Sequence, residues 1–320
     1  MNLPIQISDF KELSEVQIPL HLAIGVFDGI HLGHIAVIEP SISAAKANGE
    51  HSAILTFDPH PSRLFKKDKG TQLIMDLKSK TRRLHEIGVD VVIAKTFDQE
   101  FSSISADQFL IYLKQELPSL KAVYVGENFR FGQGRTGDIE TLINSGTQLG
   151  IDVWSIDRIK QNGLAISSTR IRAALAKGEI ENVNALLGYH YFSEGLVQPG
   201  QKLGRTIGFP TLNLDWSPES KPCFGVYAVR FRSEESDQWV DGIANYGIRP
   251  TVSDDNQDLP ILEVHSFGLS DFREDAILVV EWLYFIRKEQ RFPNIEDLKN
   301  QISLDCEKAK QLIQDARANH

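Results

Sequence analysis

The sequence predicts an α/β module built on a parallel sheet, followed by an antiparallel β module that closes with a helix. Two patterns carry that prediction. From residue 20 to about 158, short apolar runs alternate with longer amphipathic stretches, the mark of strand–helix–strand units. After residue 167 this alternation stops, and short strand-like runs follow one another with turn residues between them. A last stretch, about 294–316, begins after Pro293 and spaces Ile295, Leu298, Ile302, Leu312 and Ile313 as a helix would.

In the first module the candidate strands are 20–26, 52–57, 90–95, 121–126 and 151–156, with helical spacing near 33–48, 79–87, 105–116 and 138–148. Helices then cover both faces of the sheet, and ligands gather at the carboxyl ends of its strands. Three polar segments lie at such ends: residues 25–34, FDPHP (57–61) and GENFRFG (126–132). Ser167, Ser168 and Thr169 then precede good helix formers, an N-cap signature. Two short helices are expected to end at Gly188, which places the module boundary near residue 187 and gives modules 1–187 and 188–320. In the second module the runs 191–197, 224–231, 239–245, 261–267 and 277–286 predict an antiparallel barrel or sandwich.

Composition narrows the class. The chain has 320 residues, enough for two domains, and a formal net charge of −9. That balance argues against a free-standing nucleic-acid binder. Cys223 and Cys306 are too few and too far apart for a disulfide framework, so a reducing cytoplasm is expected. The N-terminus, MNLPIQISDF, lacks the basic start and apolar core of a secretory signal. No apolar stretch is long enough to cross a bilayer. Small-molecule substrates are the expected partners, with no nucleic acid and no membrane, for a monomer or weak homo-oligomer.

The segment Gly25-Val26-Phe27-Asp28-Gly29-Ile30-His31-Leu32-Gly33-His34 follows a buried strand and opens a helix. It is suited to holding phosphate. Glycines let the backbone approach a ligand, the first helical N–H groups are unpaired with the positive dipole end behind them, and His31 and His34 can face one anion across a turn. Zinc is the alternative, but no Cys or third His stands at ligand spacing.

Gly132-Gln133-Gly134-Arg135-Thr136-Gly137 matches G-x-G-x-x-G but does not turn directly from the first strand into a helix. It reads as a flexible loop whose Arg130 and Arg135 could reach phosphate. FDPHP is either a stiff connection or a functional loop around His60. ISSTRIR (166–172) has more hydroxyls than a cap needs, and its Arg170 and Arg172 sit at the positive end of a helix, where an anion would relieve the conflict. In the second module, GLVQPGQKLGRTIGFPTLNL (195–214) is dense in Gly and Pro, and its Thr211 and Asn213 supply neutral oxygens suited to magnesium shared with phosphates. A β-hairpin loop is the plainer reading. Glu263, an acid within the strand-like ILEVHSF, faces either solvent or the barrel mouth.

Taken in order, these motifs resemble one family, the prokaryotic bifunctional riboflavin kinase/FAD synthetase. The glycine–histidine segment, FDPHP, GENFRFG with RTGD, and ISSTRIR resemble its nucleotidyltransferase module. GRTIGFPTLNL, PCFGVYAV, GIANYGIRPT, LEVH and FIRKEQRFPNIEDLKNQI resemble its flavokinase module. The resemblance covers nearly the whole chain. It implies a Rossmann-like nucleotidyltransferase domain followed by a six-stranded β-barrel with a C-terminal helix.

The resemblance further implies that the second module converts riboflavin and ATP to FMN and ADP, and the first converts FMN and ATP to FAD and pyrophosphate, both with Mg2+. By the same resemblance His31, His34 and Glu263 are catalytic. Gly25, Phe27, Asp28, Gly33, Asn128, Arg130, Ser168, Thr169, Arg172, Gly204, Arg205 and Gly208 contact nucleotide. Phe57, Pro59, His60, Pro61 and Arg249 contact flavin, and Thr211 and Asn213 hold the metal. The chain departs from the family at Val26, where Asn is common, at PTLN (210–213) in place of PTAN, and at SFGLSDFRED after LEVH. An adenylyltransferase with a degenerate kinase barrel, and a non-enzymatic flavin-binding regulator, are the competing readings.

Overall fold

The computed structural model describes residues 6–13, 17–66, 70–199, 208–248, 260–268, 272 and 275–318. The chain divides into two compact units, Met1–Ser168 and Thr169–His320.

The first unit is built on strands β1 (Gln6–Ile7), β2 (Leu20–Ile24), β3 (His51–Phe57), β4 (Val91–Lys95), β5 (Leu120–Gly126) and β6 (Asp152–Ile156). They form one sheet in the order β1-β4-β3-β2-β5-β6, every neighbour parallel. The helices are α1 (Leu32–Asn48), α2 (Pro61–Lys66), α3 (Leu77–Glu86), α4 (Gln99–Ser102), α5 (Ala106–Glu116) and α6 (Ile139–Leu149). β2 reads as an unbroken buried run because helices cover both of its faces. Leu22 and Ile24 pack with Leu110 and Leu113 of α5 and Leu142 of α6. Ala23 points the other way, toward Val37 and Ile38 of α1 and Leu84 of α3.

Caps fix where the helices start. The carboxylates of Asp76, Asp98 and Asp138 accept the N–H groups of Ser79, Phe101 and Thr141. All five strands and all four helices expected in this module are present. Sequence periodicity missed the short β1, α2 and α4, and the hairpin β7 (Lys160–Gln161) to β8 (Leu164–Ala165). The hairpin turns on Asn162 and Gly163, with φ of 55° and 77°, the Asn-Gly turn that two-residue hairpins favour.

The second unit takes in α7 (Ser168–Lys177) from Thr169 onward and α8 (Ile180–Leu187). Strands β9 (Phe192–Gln198), β10 (Leu212–Asp215), β11 (Gly225–Ser233), β12 (Val240–Ile248), β13 (Pro260–Ser266) and β14 (Ile277–Lys288) follow, then helix α9 (Ile295–Ala318). The strands close into a barrel in the order β10-β13-β12-β11-β14-β9, antiparallel throughout. The sandwich alternative is thereby excluded. β10, hidden in the Gly- and Pro-rich segment, is the strand that sequence reading missed.

Aromatic residues fill the interior. Tyr227, Phe231, Tyr246 and Trp282 are fully buried, and the Trp282 indole N–H donates to Ser193 Oγ at 3.0 Å. Cys306, Ala309 and Ile313 of α9 cover Val226, Ala228 and Ile243 on the outer wall. Arg287 of β14 ties that helix down through Asp305 at 2.8 Å. α8 docks through Asn184, whose amide donates to the Trp282 carbonyl at 2.9 Å and whose Oδ1 accepts the Tyr191 N–H at 2.7 Å.

Asn184→Ala leaves both backbone groups without those partners. It is expected to lower the barrel unit's stability by about 1–3 kcal/mol, read as a lower Tm for the transition followed by the near-UV signal of Trp282.

Candidate functional site

In the first unit the candidate site is the turn joining β2 to α1. Phe27 and Ile30 have φ of 49° and 34°, and Gly29 has φ of 82°. A left-handed backbone suits glycine but not the two apolar residues, which are both buried. Bonds from distant segments hold the turn. Asp28, itself buried, accepts the N–H groups of Ile74 at 2.9 Å and Met75 at 3.4 Å through Oδ1. Ser168 Oγ donates to the Asp28 carbonyl at 2.9 Å. Thr56 Oγ1 and Lys80 Nζ both donate to the Val26 carbonyl at 2.9 Å.

α1 starts where the turn ends. His31 is its N-cap, and its Nδ1 accepts the His34 N–H at 3.2 Å. An accepting Nδ1 leaves the proton of a neutral ring on Nε2. The His31 and His34 rings stack with centroids 3.6 Å apart. Gly33 makes room for that stack, since a Cβ there would lie 3.2 Å from His31 Cε1 and Nδ1. His34 Nδ1 is sealed from solvent and has no hydrogen-bond partner among the described residues. Burial, helped by the charges of His31 and Lys80, pushes the His34 pKa well below 6.5. The site therefore presents a neutral His34 imidazole beside the first N–H groups of a helix, an arrangement that can receive an anion. The two histidines do face one place, but as a stacked pair in which His31 also caps the helix.

The remaining predicted positions vary in how they are held. Gly25 lies against the Phe27 ring, 2.8 Å from where its Cβ would be. Phe57 ends β3 and meets Phe97 edge-on at 5.4 Å. Pro59 is exposed and Pro61 opens α2. His60 Nδ1 accepts the Ser62 N–H at 3.0 Å. Asn128 is exposed and donates to Glu127 Oε1 at 3.1 Å, and Arg130 pairs with Asp138 at 3.3 Å.

The G-x-G-x-x-G stretch is not an open loop. It forms a 3-10 turn over Gln133–Arg135, closed by a bridge between Phe131 and Gly137. Gly137 packs against the Phe131 ring. At the start of α7, Thr169 is exposed and Arg172 half-buried.

In the second unit, Gly204, Arg205 and Arg249 lie outside the described residues. Gly208 is exposed with φ of 89°. Thr211 is exposed and immediately precedes β10, and Asn213, two residues on, is buried within that strand. The register places Asn213 opposite Glu263, and Glu263 opposite Asn245. Leu262 and Val264 are fully buried and fill the interior, so Glu263 faces outward. It sits half-buried on the outer wall rather than in the barrel mouth. His265, on the same face, lies 2.7 Å from the Pro210 carbonyl. A carbonyl only accepts, so Nδ1 carries the proton there, and the bond anchors the chain leading to Thr211.

Among the described residues no three His, Cys, Asp or Glu side chains converge to hold a metal ion. The expected metal positions, Thr211 and Asn213, offer neutral oxygens, with the Glu263 carboxylate opposite Asn213 in register. That fits magnesium completed by water and phosphate rather than an all-protein cage.

Sequence reading missed Lys80 and Asn245. Lys80 lies on the apolar stripe of α3 with Leu77 and Leu84, spaced i, i+3 and i+7, and a lysine on the buried face was a signal open to view. Asn245 became visible only once register set it beside Glu263.

Fold and sites together define a two-module transferase of phosphorus-containing groups. Residues 13–170 match the FAD synthetase family model and residues 187–313 the riboflavin kinase family model. The bifunctional riboflavin kinase/FMN adenylyltransferase of Escherichia coli is 37% identical over 284 residues, covering 89% of this chain and 90% of that protein. The protein of the same name from Bacillus subtilis is 34% identical over 300 residues, covering 93% of each. A crystal structure of a protein named a macrolide-efflux protein, from Streptococcus pneumoniae, aligns with a TM-score of 0.82 at 27% identity. The alignment covers 94% of this chain and 96% of that one. Among the described residues no helix is long and apolar enough to cross a membrane. The chain belongs to the bifunctional riboflavin kinase/FMN adenylyltransferase family.

The lowered His34 pKa has a consequence with a definite sign. As pH falls below 6.5 the unfolded chain takes up this proton before the folded one does, so the first unit loses stability going downward from there. His34→Asn is expected to flatten that slope, measured as the pH dependence of the urea midpoint followed at Trp154.

Proposed function

We propose that the barrel unit transfers the γ-phosphoryl group of ATP to riboflavin, giving FMN and ADP. The sheet unit then transfers the adenylyl group of a second ATP to FMN, giving FAD and pyrophosphate. One observation carries this reading: a phosphate-directed constellation falls in each of the two matched segments. One is the stacked His31–His34 pair at the start of α1, and the other is the Asn213–Glu263 register on the barrel wall.

Adenylyl transfer needs no strong base, because the attacking FMN phosphate is already an anion. The work is positioning and charge cancellation at the α-phosphate. His31 Nε2–H and His34 donate to the phosphates of ATP, assisted by the N–H groups at the start of α1. Gly25, Phe27, Asp28 and Gly33 shape that wall, Asn128 and Arg130 reach the nucleotide, and Ser168, Thr169 and Arg172 grip the leaving pyrophosphate. Phe57, Pro59, His60 and Pro61 border the flavin. The adenylyltransferase module is taken as residues 1–187 and the kinase module as 188–320.

The kinase step differs, since a neutral ribityl hydroxyl must lose its proton as it attacks. Glu263 accepts that proton. Thr211 and Asn213 would hold Mg2+, which would supply charge neutralisation on the ATP phosphates. Gly204, Arg205 and Gly208 contact nucleotide and Arg249 contacts flavin. The free thiols of Cys223 and Cys306 and the net charge of −9 support a cytoplasmic enzyme, monomeric or weakly self-associating, with small-molecule partners and neither nucleic acid nor membrane.

His31→Ala is expected to lower FAD formation from FMN about 10²- to 10³-fold while FMN formation from riboflavin survives. Loss of both activities in a folded variant contradicts the separation of sites. Glu263→Gln is expected to stop riboflavin phosphorylation and spare FMN adenylylation. Both are read by separate assays of the half-reactions with Mg-ATP. A wild-type chain that turns over FMN but not riboflavin supports the degenerate-barrel reading instead.

A further inference from the structure

Among the described residues Lys80 is the one buried Lys or Arg, only 4% exposed. Its Nζ donates to the Val26 carbonyl at 2.9 Å and to Thr56 Oγ1 at 3.4 Å. Three carboxylates from separate segments act on it through their charge: Asp28 in the turn after β2, Asp58 after β3, and Asp76 at the N-cap of α3. His34 lies within reach of its charge.

A plain structural staple would not need this ammonium. Thr56 Oγ1 already donates to the Val26 carbonyl at 2.9 Å, and burying a charge is expensive compared with burying an apolar side chain of the same length. Burial pulls the Lys80 pKa down, while the three carboxylates resist that shift and favour the charged form. Its nitrogen sits at the end of β2, against the Val26 carbonyl of the turn that leads to both histidines.

We propose that Lys80 is a positioning residue of the adenylyl-transfer site, pinning the Val26 carbonyl and with it the turn 25–31, while its fixed positive charge stands behind the histidine pair where phosphate charge gathers. The inference rests on the adenylyltransferase reading above. A charge already fixed in a low-dielectric wall does not have to reorganise as pyrophosphate departs. The same charge disfavours a proton on His34, as does that of His31 on the same helix start.

The test compares full-length wild type, Lys80→Met, Lys80→Gln and Thr56→Val. Thr56→Val removes a bond to the same carbonyl and keeps the charge. Both Lys80 variants are expected to lose about 10- to 100-fold in kcat for FAD formation, with KM for ATP within about threefold, while Thr56→Val stays close to wild type. NMR titration of His34 is expected to move up toward its ordinary value in the Lys80 variants and to stay low in Thr56→Val. Riboflavin phosphorylation is unchanged in all.

Lys80→Met with wild-type kcat and an unmoved His34 titration overturns the inference alone. So does Thr56→Val as damaging as both Lys80 variants. So does loss of the near-UV signal of Trp154, the tryptophan of the first unit, in both Lys80 variants, because the residue then serves folding only. A wild-type chain that makes no FAD from FMN removes the adenylyltransferase reading and this inference with it.

Discussion

The turn between β2 and α1 is the constraint on which the first unit's chemistry depends. It places two apolar residues, Phe27 and Ile30, in left-handed conformations inside the protein, at about 1–2 kcal/mol each. Within the turn the Ile30 N–H reaches the Phe27 carbonyl only at 3.4 Å. The compensation comes from Ile74 and Met75 on the Asp28 carboxylate, Ser168 on the Asp28 carbonyl, and Thr56 and Lys80 on the Val26 carbonyl. Segments far apart in sequence thus fix one tight corner. The corner sets the direction in which α1 leaves and the position of His31 as its N-cap.

The barrel solves its positioning problem in another way. Its interior is taken up by Tyr227, Phe231, Tyr246 and Trp282. Strand alternation then sends Glu263 outward whenever Leu262 and Val264 point in. Closure of the barrel brings β10 and β12 to either side of β13, and register sets Asn213 and Asn245 flanking that carboxylate. No left-handed residue is needed for that placement. A one-residue slip of β13 would exchange Glu263 for a leucine or valine.

Long elements were legible because their physics is local. A buried parallel strand must be apolar, and α3, α5 and α6 each carry a repeating stripe. The strands of the second unit were legible by spacing, yet whether they closed as a barrel was not, because closure depends on pairing between β9 and β10. β10 has four residues at the end of a Gly- and Pro-rich stretch, too few for a period to register. His31 and His34 stood out by motif, but the stacking of their rings and the sealing of His34 Nδ1 follow from tertiary packing. His60 shows the reverse case: its motif invites a functional role, and its Nδ1 is occupied as a helix cap.

The two sites handle charge in opposite ways, and the difference follows from the proposed nucleophiles. Where the nucleophile is a phosphate, a carboxylate facing it would repel it. The first site presents neutral imidazole and helix N–H groups, while Asp28 is turned inward onto backbone donors. Where the nucleophile is a hydroxyl, a carboxylate is needed to take its proton, and Glu263 stands half-exposed on the wall beside neutral amides. Folding both requirements into one cleft would put that carboxylate near the FMN phosphate. Two separate units allow each site its own electrostatics, and on this argument two folds in one chain serve the two successive transfers better than one shared pocket could.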